Sequence, residues 1–138
     1  MDMNEISGTI IDKAMIVHTA LGPGLLEQPY QVCLKHELLK QGMKVVSEVA
    51  MPVIYDGVAI ELGYRLDLLV EDTVIVELKS AHSIVPIYST QLLTYLRLSN
   101  KPLGLLSNFG ARHLKDGIVR LINSPSAKLS ETQRNLCD

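Results

Sequence analysis

The sequence predicts an α/β protein, a mixed sheet with helices packed on its faces. Three observations predict it. Two stretches in the first 41 residues carry apolar side chains every three or four positions, the helical period. Three strand-like runs then follow between residues 44 and 80, joined by turns short enough for antiparallel pairing. A helical pattern finally separates the third run from a fourth apolar run, and a crossover of that kind implies a mixed sheet.

The elements follow in order. From Glu5 to Leu21, the residues Ile6, Ile10, Ala14, Val17 and Leu21 form one helical stripe, with Asp2 and Asn4 as possible N-caps. Gly22-Pro23-Gly24 stops that helix. A second helix spans about 26–41, with Glu27, Tyr30, Leu34 and Leu38 on its inward stripe and Gly42 just past its end. Pro29 lacks an N–H, so it sits in the first turn or kinks the helix there. The run 44–55 is the first strand, and Pro52 marks an edge or a bulge in it. Asp56-Gly57 is a hairpin turn. The runs 58–70 and 73–80 are the next two strands. Pro86 opens a helix to about Ser99, whose inward stripe reads Ile87, Gln91, Tyr95 and Leu98. Residues 102–108 form an apolar strand and 116–123 one more. Residues 1–123 thus read as a single domain, and 124–138 as a polar C-terminal tail with one possible helical turn at Ser130–Gln133.

Composition narrows the class. The chain has 138 residues, 47% of them hydrophobic, enough to bury a core without metal or disulfide staples. Its two cysteines, Cys33 and Cys137, are far apart and form no CxxC, which suits a reducing cytoplasm and gives no zinc signature. The N-terminus lacks a basic n-region and an apolar h-region, so no signal peptide is expected. No apolar run is long enough to span a bilayer, so no membrane partner is expected. Net charge is −2. It is unevenly spread, with 6 Lys/Arg against 12 Asp/Glu in residues 1–96, and 7 against 3 in 97–138. Either these are solvated faces or an acidic metal pocket sits beside a basic, phosphate-binding flank.

The run "TVIVELKS" at 73–80 raises a chemical question, because an acid and a base interrupt a good strand. Side chains alternate along a strand, so Glu77 and Lys79 share a face. Asp67 on the preceding strand meets Glu77 only in one register. A two-residue turn on Glu71-Asp72 puts the two carboxylates on opposite faces. A three-residue turn, 71–73, sets Asp67 directly across from Glu77; it normally needs a residue in the left-handed region, and no Gly is present. A bulge could also correct the register. Two carboxylates in contact repel, and burial makes both charges costly. A divalent cation removes that penalty. Mg²⁺, or Mn²⁺ in its place, takes oxygen ligands, and Asp67, Glu77 and the backbone carbonyl of Leu78 supply them. Lys79 could then orient a water or stabilise phosphate charge. Taken alone, a Glu and a Lys two apart on a strand more often make a solvated salt bridge.

Further motifs stand in order around this one. "GLLEQPY" at 24–30 fits G-x-x-E-x-x-Y, and "VH" at 17–18, "GYRLDLLVED" at 63–72 and "QLLTYLRL" at 91–98 accompany it. Together with "VIVELKS" they resemble the GxxExxY family of the PD-(D/E)xK nuclease superfamily over roughly residues 5–123. The resemblance implies a restriction-endonuclease-like αβββαβ core, here with an extra N-terminal helix and a C-terminal strand. It implies Asp67 as the motif acid, Glu77 and Lys79 as the ExK pair, Glu27 as the acid of the first core helix and Gln91 as the polar residue of the later helix. The family favours a non-proline and then an acid around the motif Tyr, where Pro29 and Gln31 stand here.

The function implied is Mg²⁺-dependent hydrolysis of nucleic-acid phosphodiesters, DNA ahead of RNA. Asp67, Glu77, Leu78 and Glu27 would serve the metal, Lys79 the nucleophile and Gln91 the substrate. A homodimer would supply surface that one small domain lacks. Two alternatives stand beside it: a catalytically silent nucleic-acid- or protein-binding module on the same fold, and a hydrolase of small phosphate esters. Arg97, Lys101, Arg112, Lys115 and Arg120 are candidate phosphate contacts or a solvated basic face. His18, His36, His82 and His113 show no ligand spacing and read as surface or core histidines. Tyr30, Tyr95, Cys33 and Phe109 read as core.

Overall fold

The computed structural model describes residues 1–61 and 63–123; the expected tail, with its Ser130–Gln133 turn, lies outside the described residues. Helix α1 spans Met3–Leu21. The Asp2 side chain caps it by accepting the Glu5 N–H at 2.8 Å, and Gly22 ends it at φ 70°. Helix α2 spans Glu27–Lys40, and Gly42 follows in the left-handed region that helix C-termini favour. Strands β1 (Val45–Ala50), β2 (Val53–Tyr55), β3 (Val58–Ile60), β4 (Arg65–Val70) and β5 (Val74–Lys79) come next. Helix α3 (Pro86–Ser99) crosses over to β6 (Leu103–Asn108), and β7 (Ile118–Ile122) follows a 3-10 turn at Leu114–Gly117.

The main sheet has the order β1-β4-β5-β6-β7. Only β5 and β6 run parallel, as the α3 crossover requires, and every other pair in it is antiparallel. Strand β5 is central, flanked by β4 and β6, and β6 is buried along its whole length. Two cores result. One lies under α1 and α2 and contains Ile10, Tyr30, Leu34, Leu38, Leu68, Val76 and Phe109. The other lies under α3 and contains Met51, Leu66, Ile75, Leu92, Leu96 and Leu106. Among the described residues no helix is long and apolar enough to cross a membrane.

The expected mixed α/β architecture is present, with two corrections in detail. Each of the first two expected strands is broken. Pro52 cannot donate to a ladder, so the run 44–55 splits there into β1 and β2. The run 58–70 splits into β3 and β4 around Gly63, which sits at φ 77°. The detached ends pair only with each other as a small hairpin. Its turn is Asp56-Gly57, both at positive φ as a two-residue hairpin demands.

The second correction concerns α3. Its buried residues are Leu92 and Leu96, with Tyr88, Leu93 and Tyr95 partly covered, whereas Ile87, Gln91 and Leu98 are exposed. Gly104 on β6 explains the rotation. A side chain added there would meet Leu92 at 3.0 Å, so the glycine leaves the socket that Leu92 fills. Seating Leu92 turns Gln91 outward.

Candidate functional site

The turn between β4 and β5 has three residues, 71–73, and Val70 pairs with Val74 across it. Glu71 and Asp72 adopt φ 53° and 52°, the left-handed region, although neither is glycine. Glu71 is secured there from both ends. Its N–H donates to the Lys44 carbonyl at 2.8 Å, and its carboxylate accepts the Lys44 N–H at 2.6 Å. The register that follows pairs Leu68 with Val76, so the next pair is Asp67 and Glu77.

Here the ladder changes character. The Asp67 N–H donates to Glu77 Oε1 at 3.1 Å, and the Leu78 N–H donates to Asp67 Oδ2 at 2.8 Å. The two carboxylates have replaced the carbonyls of an ordinary ladder. One oxygen of each therefore stays free of the backbone. The Leu78 carbonyl points the same way as its N–H, beyond the last β4–β5 pair.

Glu77 is only 8% exposed and has no ion-pair partner among the described residues. Burial, and then the charge of Asp67, push its carboxyl up to about 8. Asp67 is half-buried. Burial raises its carboxyl too, opposed by the Leu78 N–H and reinforced by the charge of Glu48. Near neutral pH the pair therefore holds a proton between them. A hard divalent cation can take that proton's place, and two carboxylates with a carbonyl are the oxygen set Mg²⁺ accepts alongside waters. The residues present thus fit such an ion. Among the described residues no set of three or more His, Cys, Asp or Glu side chains gathers for a metal.

Lys79 is half-buried on the α3 side, its Nζ 4.5 Å from the centre of the Tyr88 ring. This cation–π contact keeps it out of bulk solvent while its charge still acts on both carboxylates. Tyr95 senses the same charges. Burial raises its hydroxyl, and the charges of Glu77 and Asp67 add to the shift, which places it within electrostatic reach of the pair.

Asp67, Glu77, Leu78 and Lys79 are thus together. Glu27 and Gln91 are not with them. Glu27 was expected on the buried stripe of α2, but α2 begins at this residue and its first turn, 27–29, is exposed. The buried stripe is Tyr30, Gln31, Leu34 and Leu38. Glu27 makes no hydrogen bond or ion pair among the described residues. The start of α2 does lie beside the end of β5, because the Ser80 hydroxyl donates to the Leu25 carbonyl. Tyr30 has no hydroxyl to spare for Glu27, since it donates to the Gly22 carbonyl and accepts the Leu25 N–H. Its ring stacks on Phe109 with centroids 4.6 Å apart. Gln91 lines a groove of about 390 Å³ with Met51, Val53, Tyr64 and Tyr95, and faces solvent rather than the core.

Sequence reasoning missed Glu48. The pairs Ser47–Leu68 and Val49–Leu66 place it opposite Asp67, at φ 54° in the middle of β1. The buried Gln31 reaches its Oε1 at 3.4 Å. Both strands change face there. Val45 and Leu68 belong to the core under α1 and α2, whereas Val49 and Leu66 belong to the core under α3. Counting back from Asp56-Gly57 pairs Glu48 with Arg65, because Tyr55 faces Val58. In the pairing of β1 with β4 the partner is instead shifted by two, to Asp67.

A family model described as the PD-(D/E)XK nuclease superfamily matches residues 4–121. No curated protein and no solved structure matches the chain. The mixed five-stranded sheet with helices on both faces is the restriction-endonuclease-like arrangement that this family match carries.

Proposed function

Because the chain belongs to the PD-(D/E)XK nuclease superfamily, we propose that it hydrolyses nucleic-acid phosphodiester bonds with a divalent cation, Mg²⁺ or Mn²⁺, at the Asp67–Glu77 pair. Within the superfamily, the motif set around Gly24, Glu27 and Tyr30 supports the GxxExxY family. The observation that carries the proposal is the reciprocal bonding of Asp67 and Glu77 across β4 and β5, which brings two carboxylates together, one of them buried, with an oxygen of each free of the backbone. Once bound, the ion would polarise the scissile phosphate and the attacking water.

The chain's own residues have the remaining roles. Asp67, Glu77 and the Leu78 carbonyl would hold the ion. Lys79 leaves Tyr88 to orient the water or to neutralise phosphate charge in the transition state. Glu27, from the exposed first turn of α2, contributes through water. Gln91, on the rim of its groove, positions substrate. DNA ahead of RNA, action in the cytoplasm and a two-fold pair of chains complete the reading.

The test is direct. The purified chain with Mg²⁺ or Mn²⁺ is offered single-stranded, duplex and branched DNA, and RNA. Cleavage of at least one, lost in Asp67→Asn, is the expected result. If every substrate stays intact, the proposal is refuted. One observation favours the second reading, a silent binding module: the site gathers two carboxylates and leaves Glu27 outside. Binding without cleavage, unchanged in Asp67→Asn, would establish that reading.

A further inference from the structure

On the α1 side of the sheet a cleft of about 400 Å³ opens between the end of α1, the Gly22-Pro23 turn and residues 112–115. His18, Arg112, His113 and Lys115 line it, and no carboxylate does among the described residues. Several cations elsewhere are engaged. Lys40 and Lys101 pair with Glu37 and Asp72, Lys35 donates to the Ser47 hydroxyl, and Arg120 donates to Asn4 Oδ1. Arg112 and Lys115 are exposed, and neither has a hydrogen bond or ion pair among the described residues. Two uncommitted cations and an exposed imidazole thus share one cleft.

The loop that carries them is anchored. His18 Nε2 donates to the Ala111 carbonyl at 2.8 Å. Asn108 Oδ1 accepts the N–H groups of Ala81 at 2.9 Å and Gly110 at 3.0 Å, and its amide donates to the Ala81 carbonyl. The Phe109 N–H donates to the Lys79 carbonyl at 2.8 Å. The loop is therefore built on the end of the strand that presents Glu77 and Lys79, and its position relative to them is fixed. A backbone anchored before binding loses less freedom on meeting a polyanion.

We propose that this cleft seats the sugar-phosphate backbone of the nucleic-acid substrate, with Arg112, His113 and Lys115 contacting its phosphates away from the acidic pair. The substrate class rests on the nuclease reading above; the choice of surface rests on the cleft alone. Such contacts position a strand and carry no sequence information. The seat therefore serves any base sequence.

The test measures affinity of the full chain for fluorescently labelled single-stranded DNA and RNA of one sequence, in EDTA, as salt is raised. Each phosphate contact contributes about 0.7 to the slope of log affinity against log salt for a single strand. Arg112→Ala and Lys115→Ala should each flatten the slope by about that amount, and the double variant by about twice it. Lys40→Ala, whose lysine is already salt-bridged, should leave it unchanged. Both cleft side chains are exposed, so the variants keep the fold, and far-UV circular dichroism checks it. A double variant with the wild-type slope overturns the seat, even where the wild type cleaves with Mg²⁺. A flattened slope in a chain that cleaves nothing upholds the seat and removes the nuclease reading. Failure of the wild type to bind either polymer overturns the seat. The DNA and RNA arms then say which backbone it prefers.

Discussion

Replacing Glu77 by Gln tests the buried acid directly. Without metal, the folded chain holds the Glu77 proton up to about pH 8, while the unfolded chain loses it around the usual 4.5. Between those values the unfolded state binds fewer protons, so stability falls as pH rises. The contribution is complete below about pH 4.5 and gone above about pH 8. At about 1.4 kcal/mol per pH unit, the window is worth up to about 5 kcal/mol, a large part of what a domain of this size has to spare. Glu77→Gln keeps the shape, carries no charge and can still accept the Asp67 N–H through its amide oxygen. Urea unfolding followed by far-UV circular dichroism, in EDTA across this range, should show wild-type stability declining while the variant stays nearly level. Mg²⁺ added at the alkaline end should restore the wild type and leave the variant unmoved. Parallel curves for the two proteins, with no response of the wild type to metal, would refute the buried-pair argument.

Other substitutions separate the remaining roles. Lys79→Met should reduce cleavage by about 10²–10⁴-fold in single-turnover assays while costing only about 1 kcal/mol of stability, the worth of the Tyr88 contact. It should also move metal binding to higher pH, because the Lys79 charge helps ionise Glu77. Glu27→Gln should weaken the Mn²⁺-dependent rise in unfolding midpoint by no more than about tenfold in affinity, whereas Asp67→Asn should abolish the rise. Complete loss in Glu27→Gln would mean that the first turn of α2 swings inward to ligate the ion. Gly110→Ala would set a methyl 2.3 Å from the Ala81 carbonyl oxygen, and should cost about 1–3 kcal/mol in urea unfolding. A neutral result would show that the loop is free to shift.

What could be read from sequence followed the periodicities. The α3 boundaries, the Asp56-Gly57 turn, the crossover and the opposition of Asp67 to Glu77 under a three-residue turn all came from local pattern or local geometry. What could not be read depended on distant partners. The rotation of α3 is set by an empty socket at Gly104, and no pattern within 86–99 contains that information. Glu27 has the right spacing from Tyr30 and Leu34 for the buried stripe, but spacing does not say that α2 begins where the core ends. Glu48 was hidden by a shift of two in the pairing between the small hairpin and the main sheet. Glu71 and Asp72 take a left-handed conformation that glycine usually supplies, Glu71 held by contacts to Lys44 and Asp72 paired with Lys101, both far away in sequence.

That last arrangement makes chain length in the turn a functional variable. The segment 71–73 lies roughly 13 Å along the strand from Asp67 and donates nothing to any reaction. Yet removing one of its residues would slip the β-hairpin by a single step and send the two acids to opposite sides, with every reactive group still in the polypeptide. The site could be disarmed without touching any of its own atoms, by an edit that a comparison of active-site residues would never notice.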